Sequence, residues 1–185
     1  MPRALLLSVL SHQCLLLKAG FRDRYPHGWL VWEAGAWNVP EVGEELGATR
    51  VPIQEVSDCL PNSDDVLCFE LRPAGDSPFG LGRAPGNRVV VNDATVSREH
   101  LKLHPEDGGW SVERVEGAPG TISGGEPLVP GVRRRLRDGD ELQVGDARLT
   151  YHTAESFLAR VQTHAESLAR AGAGDQRSTP QRATQ

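Results

Sequence analysis

Leu5, Leu6, Val9 and Leu10, followed by Leu15, Leu16 and Leu17, set the first apolar pattern in the chain. Their spacing predicts an amphipathic helix between Pro2 and about Arg24, punctuated by Pro2 at its start and by Gly20 and Pro26 at its end. The runs L-L-L-S-V-L and C-L-L-L also suit two short strands, because periodicity alone does not separate brief apolar runs. Next, Trp29-Leu30-Val31-Trp32-Glu33-Ala34-Gly35-Ala36-Trp37 gathers three of the four tryptophans. Large apolar side chains go inside, so this segment reads as a local core against the first helix rather than an exposed recognition surface. From Val39 to Asp65, proline, glycine and acidic residues interrupt any long element.

Beyond Val66 the pattern changes to short β-favouring runs separated by turn clusters. These are Val66–Leu71, Arg88–Val91, Leu101–Leu103, Trp110–Val115, Glu141–Val144 and Ala147–Tyr151. Strands so short and so regularly spaced indicate an antiparallel β-sandwich, not a βαβ fold. Thr153 then caps a predicted helix with Phe157, Leu158, Val161 and Leu168 as its apolar stripe. The expected organisation is therefore mostly β. Residues 1–50 form a helical and Trp-rich extension, 51–65 a linker, 66–152 the sandwich, 153–170 a C-terminal helix and 171–185 a disordered tail.

Composition narrows the function. A formal net charge of −5 argues against a nucleic-acid binder, which depends on surplus Lys and Arg. Cys14, Cys59 and Cys68 are an odd number with neither C-x-x-C spacing nor a nearby His pair, so no disulfide framework, metal site or cofactor is expected. Reduced thiols suit the cytoplasm. The N-terminal apolar run is short, broken by Ser11-His12-Gln13 and without an A-x-A site, so it does not read as a signal peptide. No stretch approaches the roughly 20 apolar residues of a membrane span, and no membrane partner is expected.

The candidate chemistry lies between Gly80 and Leu103. Gly82-Arg83 precedes an A-P-G-N turn, and Ser97-Arg98-Glu99-His100 follows a second turn at Asn92-Asp93. A phosphorylated side chain brings about −1.5 to −2 charges and three acceptor oxygens, and its pocket needs a guanidinium and neutral donors on a rigid frame. Arg83, Ser97 and Arg98 are the right types. This order of G-R, N-D and V-S-x-x-H, with Leu136-Arg137-Asp138-Gly139-Asp140-Glu141-Leu142-Gln143-Val144-Gly145 as a late hairpin, resembles the forkhead-associated (FHA) domain family, bacterial type. The resemblance implies two twisted sheets whose loops at one end bind phosphothreonine peptides. It also implies a contact set of Arg83, Ser97, Arg98, Thr95, Gly120 and Thr121, with Gly82 and His100 structural.

One departure bears on the platform. Where the family commonly reads S-T-N-G-T, this chain has Gly117-Ala118-Pro119-Gly120-Thr121, and proline carries neither the side-chain amide nor an N–H. The Arg133-Arg134-Arg135 run with Arg137 is followed at once by Asp138, Asp140 and Glu141, so it reads as a solvated strand rather than a nucleic-acid patch. With no G-x-S-x-G, H-E-x-x-H or P-loop, an enzyme is not expected. The expected function is a phosphothreonine-peptide-binding module in Ser/Thr kinase signalling, the partner being a phosphorylated protein. The alternative is a degenerate scaffold making phosphate-independent contacts. Thr179, ahead of Pro180, is a candidate internal phosphosite. The oligomeric state does not follow from the sequence.

Overall fold

The concentration of apolar side chains at Trp29–Trp32 has a simple cause: this segment is a strand covered on both faces. The computed structural model describes residues 4–35 and 66–175. In chain order its elements are β1 (Ala4–Leu6), α1 (Leu7–Leu17), α2 (Gly20–Arg24), β2 (Gly28–Trp32), β3 (Leu67–Leu71), β4 (Phe79–Gly82), β5 (Val89–Val90) and β6 (Leu101–Glu106). They continue as β7 (Gly109–Arg114), β8 (Thr121–Ser123), β9 (Glu126–Pro127), β10 (Arg133–Arg135), β11 (Glu141–Val144), β12 (Ala147–His152) and α3 (Ala154–Asp175).

The strands form two sheets, of order β1-β3-β2-β12-β11-β8-β9 and β10-β7-β6-β4-β5. Pairing is antiparallel except between β4 and β5. Successive strand side chains point to opposite faces, and β2 uses both. Leu30 and Trp32 join the core between the sheets, with Leu81, Leu101, Leu103, Val112, Leu142 and Leu149. Trp29 and Val31 face the other way, into a second core with Leu10, Phe21, Tyr25, Phe157 and Val161 of the helical layer. Trp29 stacks on Phe157 with ring centroids 4.2 Å apart. The result has three layers: helices, larger sheet, smaller sheet.

Several expectations change against this frame. The N-terminal stretch, expected as one helix, opens with β1, which pairs with β3 from Ala4 against Phe69 to Leu6 against Leu67. The helical part then breaks at Lys18, which takes a positive φ of 50°. Residues 1–50 were expected beside the sandwich, yet β2 lies inside its larger sheet, between β3 and β12. Strands β4, β8, β9 and β10 lack a long β-branched run, which is why the pattern misses them. Thr153 caps α3 as expected, accepting from the Ser156 amide at Oγ1 (3.3 Å). The helix continues to Asp175, five residues past the expected boundary. The 51–65 linker, Trp37, Cys59, Thr179 and the rest of the tail lie outside the described residues.

Polar contacts fasten the helical layer to the sheet. Arg160 donates to both carboxylate oxygens of Glu33, at 2.7 and 2.8 Å, and its Nη1 lies 3.1 Å from His152 Nε2. Burial and the Arg160 charge hold the His152 pKa below its ordinary value, which favours the neutral ring beside the Arg160 guanidinium. The basic run is β10 at the edge of the smaller sheet, paired with acids at Arg133–Glu113 (3.8 Å), Arg134–Glu126 (3.0 Å) and Arg135–Glu106 (3.7 Å). Charges at an edge strand also oppose pairing with other chains. Among the described residues no helix is long and apolar enough to cross a membrane, and no His, Cys, Asp and Glu cluster could hold a metal.

Since Trp29 is fully buried and stacked, Trp29→Ala is expected to lower unfolding free energy by about 3–5 kcal/mol. Urea denaturation followed by circular dichroism measures it. An unchanged midpoint would show that the helical layer contributes nothing to the stability of the sheet.

Candidate functional site

The loops that follow β4, β5, β7 and β11 come together at one end of the sandwich, and backbone hydrogen bonds hold them there. The Arg83 amide donates to the Ser97 carbonyl (2.9 Å) and the Ala84 amide to the Arg98 carbonyl (3.1 Å). Asn87 adds its side-chain amide to that same Arg98 carbonyl and to Ala84 O. Gly82 is required here. A Cβ at this position would sit 2.3 Å from Arg98 O and 2.8 Å from Ser97 O, inside the loop it supports. The Gly-Arg pair is thus one device, in which the glycine admits the neighbouring loop and the arginine is carried beside Ser97.

His100 organises the interior of this end. The imidazole is fully buried; Nδ1 accepts from the Ser97 amide (3.1 Å), which leaves the proton on Nε2 to donate to Thr121 Oγ1 at 2.9 Å. Its own backbone ties to Leu81 O and to the Val115 amide. Burial, together with the charge of Arg114, keeps its pKa below the ordinary value, although a hydrogen bond to the Pro119 backbone works in the opposite direction. A neutral ring suits the bond from Ser97, since a protonated Nδ1 cannot accept.

The predicted contact residues separate into two groups. Arg83 and Ser97 lie side by side, Arg98 is exposed on the same turn, and Gly120 is exposed on the loop that leads into β8. Among the described residues the Arg83 guanidinium has no acidic partner, unlike the ion-paired arginines of β10. Thr121 corrects the expectation: its side chain is fully buried, and its hydroxyl serves His100 and, at 3.5 Å, Pro119 O. Thr95 is likewise engaged inward. Its hydroxyl donates to Asp93 Oδ1 (2.5 Å) and accepts from the Asp146 amide (2.8 Å). The β11–β12 turn can approach this closely because Gly145, at φ 61°, has no Cβ, which would fall 2.4 Å from Thr95 Oγ1.

Arg114 is the residue that sequence reasoning missed most completely. From the end of β7 its Nε donates to Leu128 O (3.0 Å) and its Nη1 to Ala118 O (2.6 Å). Asn87, Asp93 and Gly145 were also passed over as members of the site. Their residue types signal turns, but only the fold supplies their partners.

The FHA-domain family model matches residues 79–145, from β4 through the turn after β11. The oxoglutarate dehydrogenase inhibitor of Corynebacterium efficiens is 31% identical over 115 residues, covering 58% of this chain and 79% of that protein. The chain belongs to the FHA-domain family. The glycogen accumulation regulator GarA of Mycolicibacterium smegmatis is 34% identical over 101 residues, a match spanning 51% of this chain and 62% of that protein. Among solved structures, the FHA domain of an Arabidopsis thaliana hypothetical protein is 26% identical, covering 50% of this chain and 77% of its own, with a TM-score of 0.42. The N-terminal FHA domain of S. cerevisiae Rad53p, solved with a phosphothreonine peptide, is 16% identical, covering 72% and 98%, with a TM-score of 0.44.

Two outcomes test the architecture of this FHA domain. Gly82→Ala forces the 97–98 backbone away and is expected to cost about 1–3 kcal/mol of stability, read from the thermal midpoint. Retention of the full midpoint would contradict the close approach. The second concerns pH. A histidine whose folded pKa is depressed contributes stability that is complete above its ordinary value of 6.5 and declines as pH falls below it toward the folded value. Unfolding free energy is therefore expected to drop between pH 7 and 5, and His100→Gln should flatten that part of the slope. An equal slope in the variant would mean that His100 is not the titrating group.

Proposed function

We propose that this FHA domain is a phosphothreonine-peptide reader that makes phosphorylation-dependent protein contacts in Ser/Thr kinase signalling in the cytoplasm. The observation that carries the reading is the pairing of Arg83 with Ser97 on two hydrogen-bonded turns, the guanidinium lacking an acid among the described residues. A cation carried on a fixed backbone turn without a protein counter-ion is suited to an incoming anion, because no internal ion pair has to be broken at binding. In this reading Arg83 donates to the phosphate as a planar fork, Ser97 adds a hydroxyl and Arg98 a second cation from the exposed turn. Gly120 presents exposed backbone to the peptide. Gly82, His100, Thr95 and Thr121 hold the frame. The names of GarA and of the oxoglutarate dehydrogenase inhibitors, a regulator and inhibitors, support a binding rather than a catalytic role.

A second reading, a scaffold with phosphate-independent contacts, draws on Pro119. An exposed proline stands where the family commonly carries asparagine, and its carbonyl is turned inward to Thr121. The platform beside the phosphate pocket thus offers one side-chain amide fewer to a peptide backbone.

Binding of the purified protein to a degenerate phosphothreonine library, beside the unphosphorylated library, separates the two. Phosphate-dependent binding is expected, with Arg83→Ala weakening it roughly 10-fold to 100-fold. Equal binding to both libraries would support the scaffold and sink the reader.

A further inference from the structure

Arg114 occupies an unusual position for a half-buried cation. It leaves the end of β7 and reaches two carbonyl oxygens rather than a carboxylate: Ala118 O on the loop before β8, and Leu128 O just after β9. Among the described residues it has no ion pair. Its backbone carbonyl, in turn, accepts from the Gly131 amide (3.2 Å). Between the two clamped carbonyls lies the β8–β9 hairpin, closed by the Leu128 amide on Thr121 O (2.8 Å). Thr121 then meets His100, and His100 meets Ser97. One guanidinium therefore stands at the foot of a relay of three short contacts that ends at the phosphate-facing turn.

We propose that Arg114 is a positioning residue for phosphopeptide binding, its forked guanidinium fixing the 115–121 loop and, through Thr121 and His100, the Ser97 turn. The inference rests on the phosphothreonine reading of Arg83 and Ser97. The geometry demands arginine in particular. Nε and Nη1 point to carbonyls on separate segments at the same time, whereas lysine has one compact ammonium on a flexible stem and does not reproduce a planar fork. The loop it braces is the one with Gly117 at φ 78° and Pro119 in place of an amide-bearing residue. A segment that forms fewer side-chain hydrogen bonds of its own relies more on a brace from outside.

The test uses the full chain and the tightest phosphothreonine peptide from the library, with wild type, Arg83→Ala, Arg114→Lys and Arg114→Gln compared by titration calorimetry. Folded Arg114→Lys and Arg114→Gln are expected to bind roughly 10-fold more weakly than wild type, with the Ser97 amide exchanging its hydrogen faster. A merely structural brace would lower the thermal midpoint and leave both the affinity and the Ser97 exchange of the folded variant unchanged; that result overturns the inference. Should the variants fail to fold, the wild-type protein supplies the reading. Its Arg114 Nε–H resonance must shift during peptide titration with the same dissociation constant as the Ser97 and Ala118 amides, and an unmoved resonance overturns the proposal. Failure of the underlying reading has a different signature, in which wild type does not bind or Arg83→Ala binds equally, and the inference then falls with it.

Discussion

His100 takes the Ser97 amide at Nδ1 and gives its Nε2 proton to Thr121, and most of the loop end depends on those two bonds. A buried imidazole is costly if either nitrogen is left unpaired, so the fold has to bring both partners to it. Doing so joins the two sheets: Ser97 precedes β6 of the smaller sheet, and Thr121 opens β8 of the larger. Strand pairing cannot supply such a cross-sheet tie, because ladder bonds run within a sheet. The bonds between the 83–87 and 97–98 turns then extend the order outward to Arg83. Each loop is held by a partner on another loop, an arrangement that favours a preformed surface over one ordered by its ligand.

The larger sheet is shaped by a different constraint. A strand covered by helices on one side and by a second sheet on the other has no polar face, and β2 spends two tryptophans on that requirement. β3 repeats the pattern, with Leu67, Phe69 and Leu71 toward the sandwich and Cys68 toward the helices. The helical layer is consequently part of the protein's packing and not an appendage, and the Arg160–Glu33 pair fastens it at the same strand.

The legibility of the chain follows from how local each feature is. The Gly82-Arg83 and Ser97-Arg98-Glu99-His100 pattern carries its chemistry in neighbouring residues, and the sandwich follows from short runs separated by turns. Hydroxyl direction is not local. Thr95 and Thr121 carry hydroxyls of the type a phosphate pocket would use, and both are turned inward because Asp93, Asp146 and His100 claim them. The Asp146 amide lies 51 residues from Thr95, beyond any spacing rule. The tryptophan-rich segment was legible as core against the first helix, and Trp29 and Val31 do pack there, but an apolar run of four residues does not state that it is also a central strand of the sheet. The clamp made by Arg114 had no signal at all, since carbonyl oxygens belong to every residue.

The pairing of β2 with β12 sets an order of events in the making of the protein. Trp32 stands opposite Leu149, so the larger sheet cannot close until the chain has been synthesised almost to the start of α3. The smaller sheet draws all its strands from residues between Phe79 and Arg135, and its contacts are short in sequence. Arg83 and Ser97 can thus meet early in synthesis, while β8, which Thr121 opens, waits for β11 to pair with it. During that interval Trp29 and Val31 have no helix α3 to cover them. Until α3 emerges, only the side chains of α1 and α2, such as Leu10 and Phe21, stand ready to cover the helical face of β2.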